Sequence, residues 1–270
     1  VSGNLRVGAT NLVDAIGATV ACTNADPDYP ASNVQLGEIG TPFRSADLTS
    51  TTIVATLASA VTLSTFGVAM IKHNLQVSAT YDLVFKSGGS MVRTVPARAA
   101  NADGFWPTKI DGQSRNIALY QDSASLTFDS VELTPSDGGN PDGYFEIPRL
   151  FIGSLIEPPL GFSYGWGIQF EDPSQRSETP GGNMVHRKVT KRRIGTFDLK
   201  LLKEAPAWDD FFATIDALAG KTGDCLVLPL FDQPTRLHMR ALWGPQNDGG
   251  ALTNPVFQRY SRSVSFRERT

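Results

Sequence analysis

Twenty-five glycines and 17 prolines punctuate this 270-residue chain at close intervals, leaving only short apolar runs between them. A chain divided in this way reads as sheets joined by turns. Strands are readable at 51–57, 66–71, 81–85, 116–120 and 130–134. In 81–85 the apolar residues are Tyr81, Leu83 and Phe85, the period of two that half-buries a strand. About seven such segments before residue 153 predict a sandwich or jelly roll.

The run Ile156-Glu157-Pro158-Pro159-Leu160-Gly161 is the expected boundary, because consecutive prolines cannot donate to a sheet ladder. It divides the chain into a β-sandwich over 1–155 and a β-rich unit over 156–270. In the second unit we expect a strand at 165–170 and a polar loop to Asn183. One or two long strands should follow over 184–202, then strands at 225–230, 236–243 and 256–266. One α-helix is expected near 206–219: Pro206 starts it, acids fill its first turn and Gly220 ends it. Trp208, Phe211, Phe212, Ile215 and Leu218 form an apolar stripe that should pack on the neighbouring sheet. The expected class is mainly β, a jelly-roll sandwich followed by a β-sandwich unit carrying one helix.

With 41% hydrophobic and 19% charged residues, the composition is that of a globular chain and excludes general disorder. A formal net charge of −3 argues against a protein that coats nucleic acid. No run approaches the roughly 18 apolar residues that read as a membrane helix, so no membrane insertion is expected. Val1-Ser2-Gly3-Asn4-Leu5-Arg6 lacks the charged start and apolar run of a signal peptide. Cys22 and Cys225 are too few for a disulfide framework and read as reduced thiols.

Gly161-Phe162-Ser163-Tyr164-Gly165 spells the nucleophile pattern G-x-S-x-G, and Asp232 and His238 follow it in hydrolase order. That chemistry needs a buried strand before the serine and a helix after it. Here a Pro-Pro segment precedes and an apparent strand follows, so no catalytic residue is assigned. His73, His186 and His238 have no metal-ligand spacing, and 137–143 reads as a turn and not a calcium loop. No metal or cofactor is expected.

The densest charge lies in Arg187, Lys188, Lys191, Arg192 and Arg193. Such a run can grip phosphates, but interleaved stacking aromatics are missing. A subunit interface or a solvated strand edge is the better expectation. Phe105 and Trp106 sit among turn residues, where they would pack on the rim of the core or contact a glycan or partner.

Tyr29-Pro30-Ala31-Ser32-Asn33-Val34, Phe43-Arg44-Ser45-Ala46 and the stretch Phe66 to Leu75 follow one another in the first half. Glu171-Asp172-Pro173-Ser174, Gly195-Thr196-Phe197-Asp198-Leu199 and Ala241-Leu242-Trp243-Gly244-Pro245 continue the succession in the second half. Taken in that order, these segments resemble a recurring tail protein of long-tailed bacteriophages. The resemblance implies a discoidin-like (galactose-binding-like) first half and a second half with a tail-tube-like layout. It implies a structural, non-enzymatic role in the tail tip or baseplate, as a ring or collar of the distal-tail type. The implied partners are copies of itself and other tail proteins such as tube, hub and fibres. The implied location is the virion tail, after assembly in the host cytoplasm. A carbohydrate-binding or host-attachment module using the loop aromatics is the alternative.

Overall fold

The computed structural model describes residues 4–102, 105, 109, 114–158, 162, 165–180 and 182–270. It is mostly β, built in layers. The outer layer is a five-stranded antiparallel sheet in the order Thr19–Cys22, Ile53–Leu63, Leu126–Ser136, Thr80–Ser87, Ser90–Ala99. Its inner face alternates as the sequence predicts: Tyr81, Leu83 and Phe85 are buried and Asp82 is exposed. A three-stranded sheet of Arg149–Ser154, Phe66–Ile71 and Ile117–Asp122 packs on that face. Phe66, Phe85, Tyr120 and Phe128 meet there with ring centroids 5.2–6.2 Å apart. Edge-on and tilted rings of this kind add to plain area burial.

Every residue of Phe66–Ile71 is buried, because the three-stranded sheet is covered on both sides. Phe66, Val68 and Met70 face the first core. Ala69 and Ile71 face a separate cluster with Phe151, Leu226, Leu228 and Trp243. That cluster joins the sandwich to the large sheet, which runs Leu5–Gly8, Asp224–Pro229, Leu242–Gly249, Arg259–Arg267, Arg192–Leu202, Gly167–Glu171. Leu5–Gly8 pairs antiparallel with Asp224–Pro229, so the start of the chain completes the sheet of its second half. The helix Pro206–Ala219 covers the far face, where Phe211 and Ile215 pack with Phe197, Val227 and Phe266.

The helix is wound in the wide π form, with the Gly220 N–H donating to the Ile215 carbonyl at 2.7 Å. In this coil every fourth residue returns to one face, and Ala207, Phe211, Ile215 and Ala219 are buried. Trp208 and Phe212, expected in the core stripe, lie on the neighbouring row and are 41% and 48% exposed. The expected strand at 236–243 also differs. Pro234–Arg240 forms two short helical turns, and the strand begins at Leu242. The Arg193 guanidinium donates to the His238 and Met239 carbonyls that the turn leaves open, at 3.3 and 2.7 Å. Short helical turns also form at Leu12–Asp14 and Ala31–Gln35. Gln175–Glu178, within the expected polar loop, pairs with Met184–Arg187, the start of the expected 184–202 strands, as a separate hairpin.

A buried ionic cluster pins the layers together. Glu268, 3% exposed, takes Arg193 at 2.8 Å and also Arg115, which comes from the segment leading into Ile117–Asp122. Beside them Lys72 donates to the Arg269 carbonyl at 2.7 Å. Burial alone would raise the Glu268 pKa, but the guanidiniums and Lys72 outweigh it and hold the carboxyl below its ordinary value. Burial, opposed by Glu268, pulls the Lys72 ammonium down to about 8.

Removing one partner of such a group strands the others without compensation. Glu268→Ala is therefore expected to cost about 3–5 kcal/mol in denaturant unfolding. Lys72 has a pH signature of its own. Its folded pKa lies below its unfolded one, so the unfolded chain binds the extra proton between about pH 8 and the ordinary lysine value. Stability should rise with pH across that window in the wild type relative to Lys72→Met; parallel pH profiles would contradict this.

Candidate functional site

Two surfaces carry side chains that the fold does not consume. The first is a polar cleft beside the sandwich, about 230 Å³, between the 74–76 segment, the 137–142 turn and the segment around Ser114. Asn74 shapes it: its amide nitrogen donates to the Tyr144 carbonyl and Asp142, and its amide oxygen accepts from the Glu146 N–H. Asp137 accepts from the Gln76 N–H, and Asn140 accepts from the Asp142 N–H. These oxygens therefore hold the turn, and among the described residues no group of three or more His, Cys, Asp or Glu could hold a metal. Lys109 lies 3.6 Å from Asp142, and half-buried Phe105 lines the cleft with Gln76. An aromatic ring among amide, ammonium and carboxylate groups suits a polar ligand with one apolar face. Trp106 lies outside the described residues.

The second surface lies on the large sheet. Of fifteen exposed large apolar side chains among the described residues, ten lie beyond residue 165, including all four aromatic ones, Phe170, Trp208, Phe212 and Phe257. Phe257 is 83% exposed at the turn between Thr253–Val256 and Arg259–Arg267. Both strands of the hairpin Gln175–Glu178 and Met184–Arg187 are exposed throughout. Gly167–Glu171 is the edge strand of the sheet beside it. An open edge and an isolated two-stranded hairpin are surfaces on which another chain can add.

The basic run does not act as a unit. Arg193 is buried in the Glu268 cluster, so it is not available to a subunit interface. The reason is register: the side chains of Arg192–Leu202 alternate, and Arg193 falls on the covered face with Gly195 and Phe197. Arg192 pairs with Glu171 at 2.7 Å and Lys191 with Asp172 at 3.5 Å. Arg187 and Lys188 remain exposed. Sequence reasoning missed Arg115 and Glu268, for which no local pattern signals burial. It also missed Gln76 and Lys109, which only the fold brings to one cleft.

The hydrolase pattern is not assembled among the described residues. Ser163 lies outside them, Asp232 is exposed and accepts from Asn4 at 3.1 Å, and His238 is buried. His73 is fully buried, and burial pushes its pKa down to about 3. His186 stands on the exposed hairpin. Both cysteines are free thiols, and burial pushes Cys225 up to about 12.

No family model matches the sequence, and no curated protein matches it. Solved structures with a partial likeness include family 32 carbohydrate-binding modules and fucosidases. One is the family 32 module of Clostridium perfringens NanJ in complex with galactose, at 15% identity and a TM-score of 0.41, covering 54% of this chain and 98% of that one. A second, CpGH89CBM32-5 from the same organism in complex with GalNAc-β-1,3-galactose, has 14% identity and a TM-score of 0.41, over 54% and 100%. A third, CBM32-3 from a family 31 glycoside hydrolase of Clostridium perfringens, has 16% identity and a TM-score of 0.36, over 52% and 93%. At these scores the likenesses carry no argument about function. None of the three is a tail protein, so the tail resemblance rests on the residues quoted above.

The apolar side chains of the hairpin, Met184 and Val185, are exposed. Met184→Ser with Val185→Ser should leave unfolding free energy within about 0.5 kcal/mol of wild type. A larger loss in a denaturant titration would show that the hairpin packs on its own chain.

Proposed function

We propose that this protein is a non-catalytic structural subunit of a phage tail tip or baseplate, assembling with its own copies into a ring or collar. The observation that carries the reading is the gathering of exposed aromatics, an open sheet edge and a free-standing hairpin on the large sheet. A lone exposed apolar residue is ordinary, but aromatics concentrated on one unit mark a surface made for a protein partner. The sandwich, with fewer such residues, would then face outward. Antibody to this chain, visualised by immunogold electron microscopy on intact and disrupted particles from the source culture, should label the distal end of tails. Tails that stay unlabelled in both preparations contradict the assignment.

A second reading is favoured by the polar cleft: a glycan-contacting module in which Phe105 stacks on a sugar ring and Gln76, Lys109 and Asp142 bond its hydroxyls. The double variant Phe105→Ala, Gln76→Ala should lose at least about tenfold in affinity on a glycan array, at about 1.4 kcal/mol per tenfold, with its melting temperature unchanged. Undiminished binding by that variant, or no binding by the wild type, rejects the cleft as a sugar site.

A further inference from the structure

Two charged surfaces lie at opposite ends of the large sheet, and within one chain they cannot meet. The hairpin Gln175–Glu178 and Met184–Arg187 follows Glu171, which pairs with Arg192 at one end of Arg192–Leu202. The helix Pro206–Ala219 follows Leu202 at the other end, and its Trp208 packs on Tyr260, the register partner of Leu202, at 5.9 Å. Ten residues of strand separate those ends by about 30 Å.

Their chemistry is complementary. Arg176 opposes His186 and Glu178 opposes Met184 in the hairpin register, so one hairpin face carries Met184, Arg176, His186 and Glu178. The other carries Val185 and Arg187. From Glu204 to Ala219 the helical segment has four acids and no lysine or arginine. Asp216 is held by Arg262 at 2.6 Å, but Glu204 and Asp209 are exposed and make no ion pair among the described residues. Arg176 and Arg187 likewise make none. Next to Glu204 lies a concavity of about 400 Å³ lined by Phe257, Gln258, Lys203 and Arg259. The exposed, edge-to-face pair of Trp208 and Phe212 stands on the same helix.

We propose that these surfaces are the two halves of one head-to-tail contact: the basic hairpin of one copy seats on the acidic, aromatic helix face of the next. The inference rests on the ring-subunit reading and supplies its contact. Because the two patches differ and lie at opposite ends, the contact is heterologous, and repetition closes a ring when the rotation per copy permits. The face that carries Val185 and Arg187 makes the contact: Arg187 meets Glu204 and Asp209, and Val185 covers Trp208 and Phe212, so apolar area is buried with the charges around it. Arg176, on the opposite face, adds positive charge of the same sign to the hairpin.

Sedimentation velocity on the full chain and its variants tests this. Wild type should self-associate. Arg176→Glu with Arg187→Glu, and separately Glu204→Lys with Asp209→Lys, should each weaken association on the order of a hundredfold, since like charges now face each other. Circular dichroism should show both variants folded. An equimolar mixture of the two should regain association as alternating copies, because the wild-type hairpin of one variant meets the wild-type helix of the other and the reversed hairpin meets the reversed helix, so opposite charges face each other at every contact. All four substitutions on one chain should restore association. If wild type assembles and neither reversal weakens it, this contact is overturned while the ring reading stands. A wild type that stays a single chain overturns both.

Discussion

The carboxylate of Glu268 is the point on which the arrangement depends. It is buried between Arg115, which leads into the sandwich, and Arg193, which belongs to the large sheet. The apolar layer of Ile71, Phe151, Leu226 and Trp243 would hold the two units together without it. Apolar contact is non-directional, however, and the ionic cluster adds direction. Arg149 extends the link, with its guanidinium 5.6 Å from the Trp243 ring and donating to the Val34 and Leu36 carbonyls at 3.0 and 3.1 Å. Two sheets fixed in this way set where the sandwich stands relative to the large sheet, on which the helix packs.

The covered three-stranded sheet follows from composition. A strand with one wet face alternates, as Tyr81 to Phe85 does. Phe66-Gly67-Val68-Ala69-Met70-Ile71 has no polar residue, because one face meets the sandwich core and the other meets the large sheet. Gly67 keeps the strand thin where Leu155 lies over it: a Cβ there would sit 3.1 Å from the Leu155 side chain.

The mainly β class, five strands of the first half and the position of the helix were legible because alternation, turn residues and helix ends are local signals. The partners of charges were not. Arg193 finds Glu268 across 75 residues of sequence, and nothing near either residue marks it as buried. The pairing of Leu5–Gly8 with Asp224–Pro229 is equally remote. The outward turn of Trp208 and Phe212 depends on a wider helical coil than a period of 3.6 assumes. Of the cleft, Phe105 was readable as a loop aromatic, whereas Gln76 and Lys109 become neighbours only through the fold.

The central claim is that this chain is built to repeat: a rigid body whose exposed apolar side chains are completed by another copy. Electron microscopy of the purified protein tests it most directly. The account predicts closed rings of a single diameter with the sandwiches projecting outward. Isolated particles the size of one chain at every concentration would contradict it.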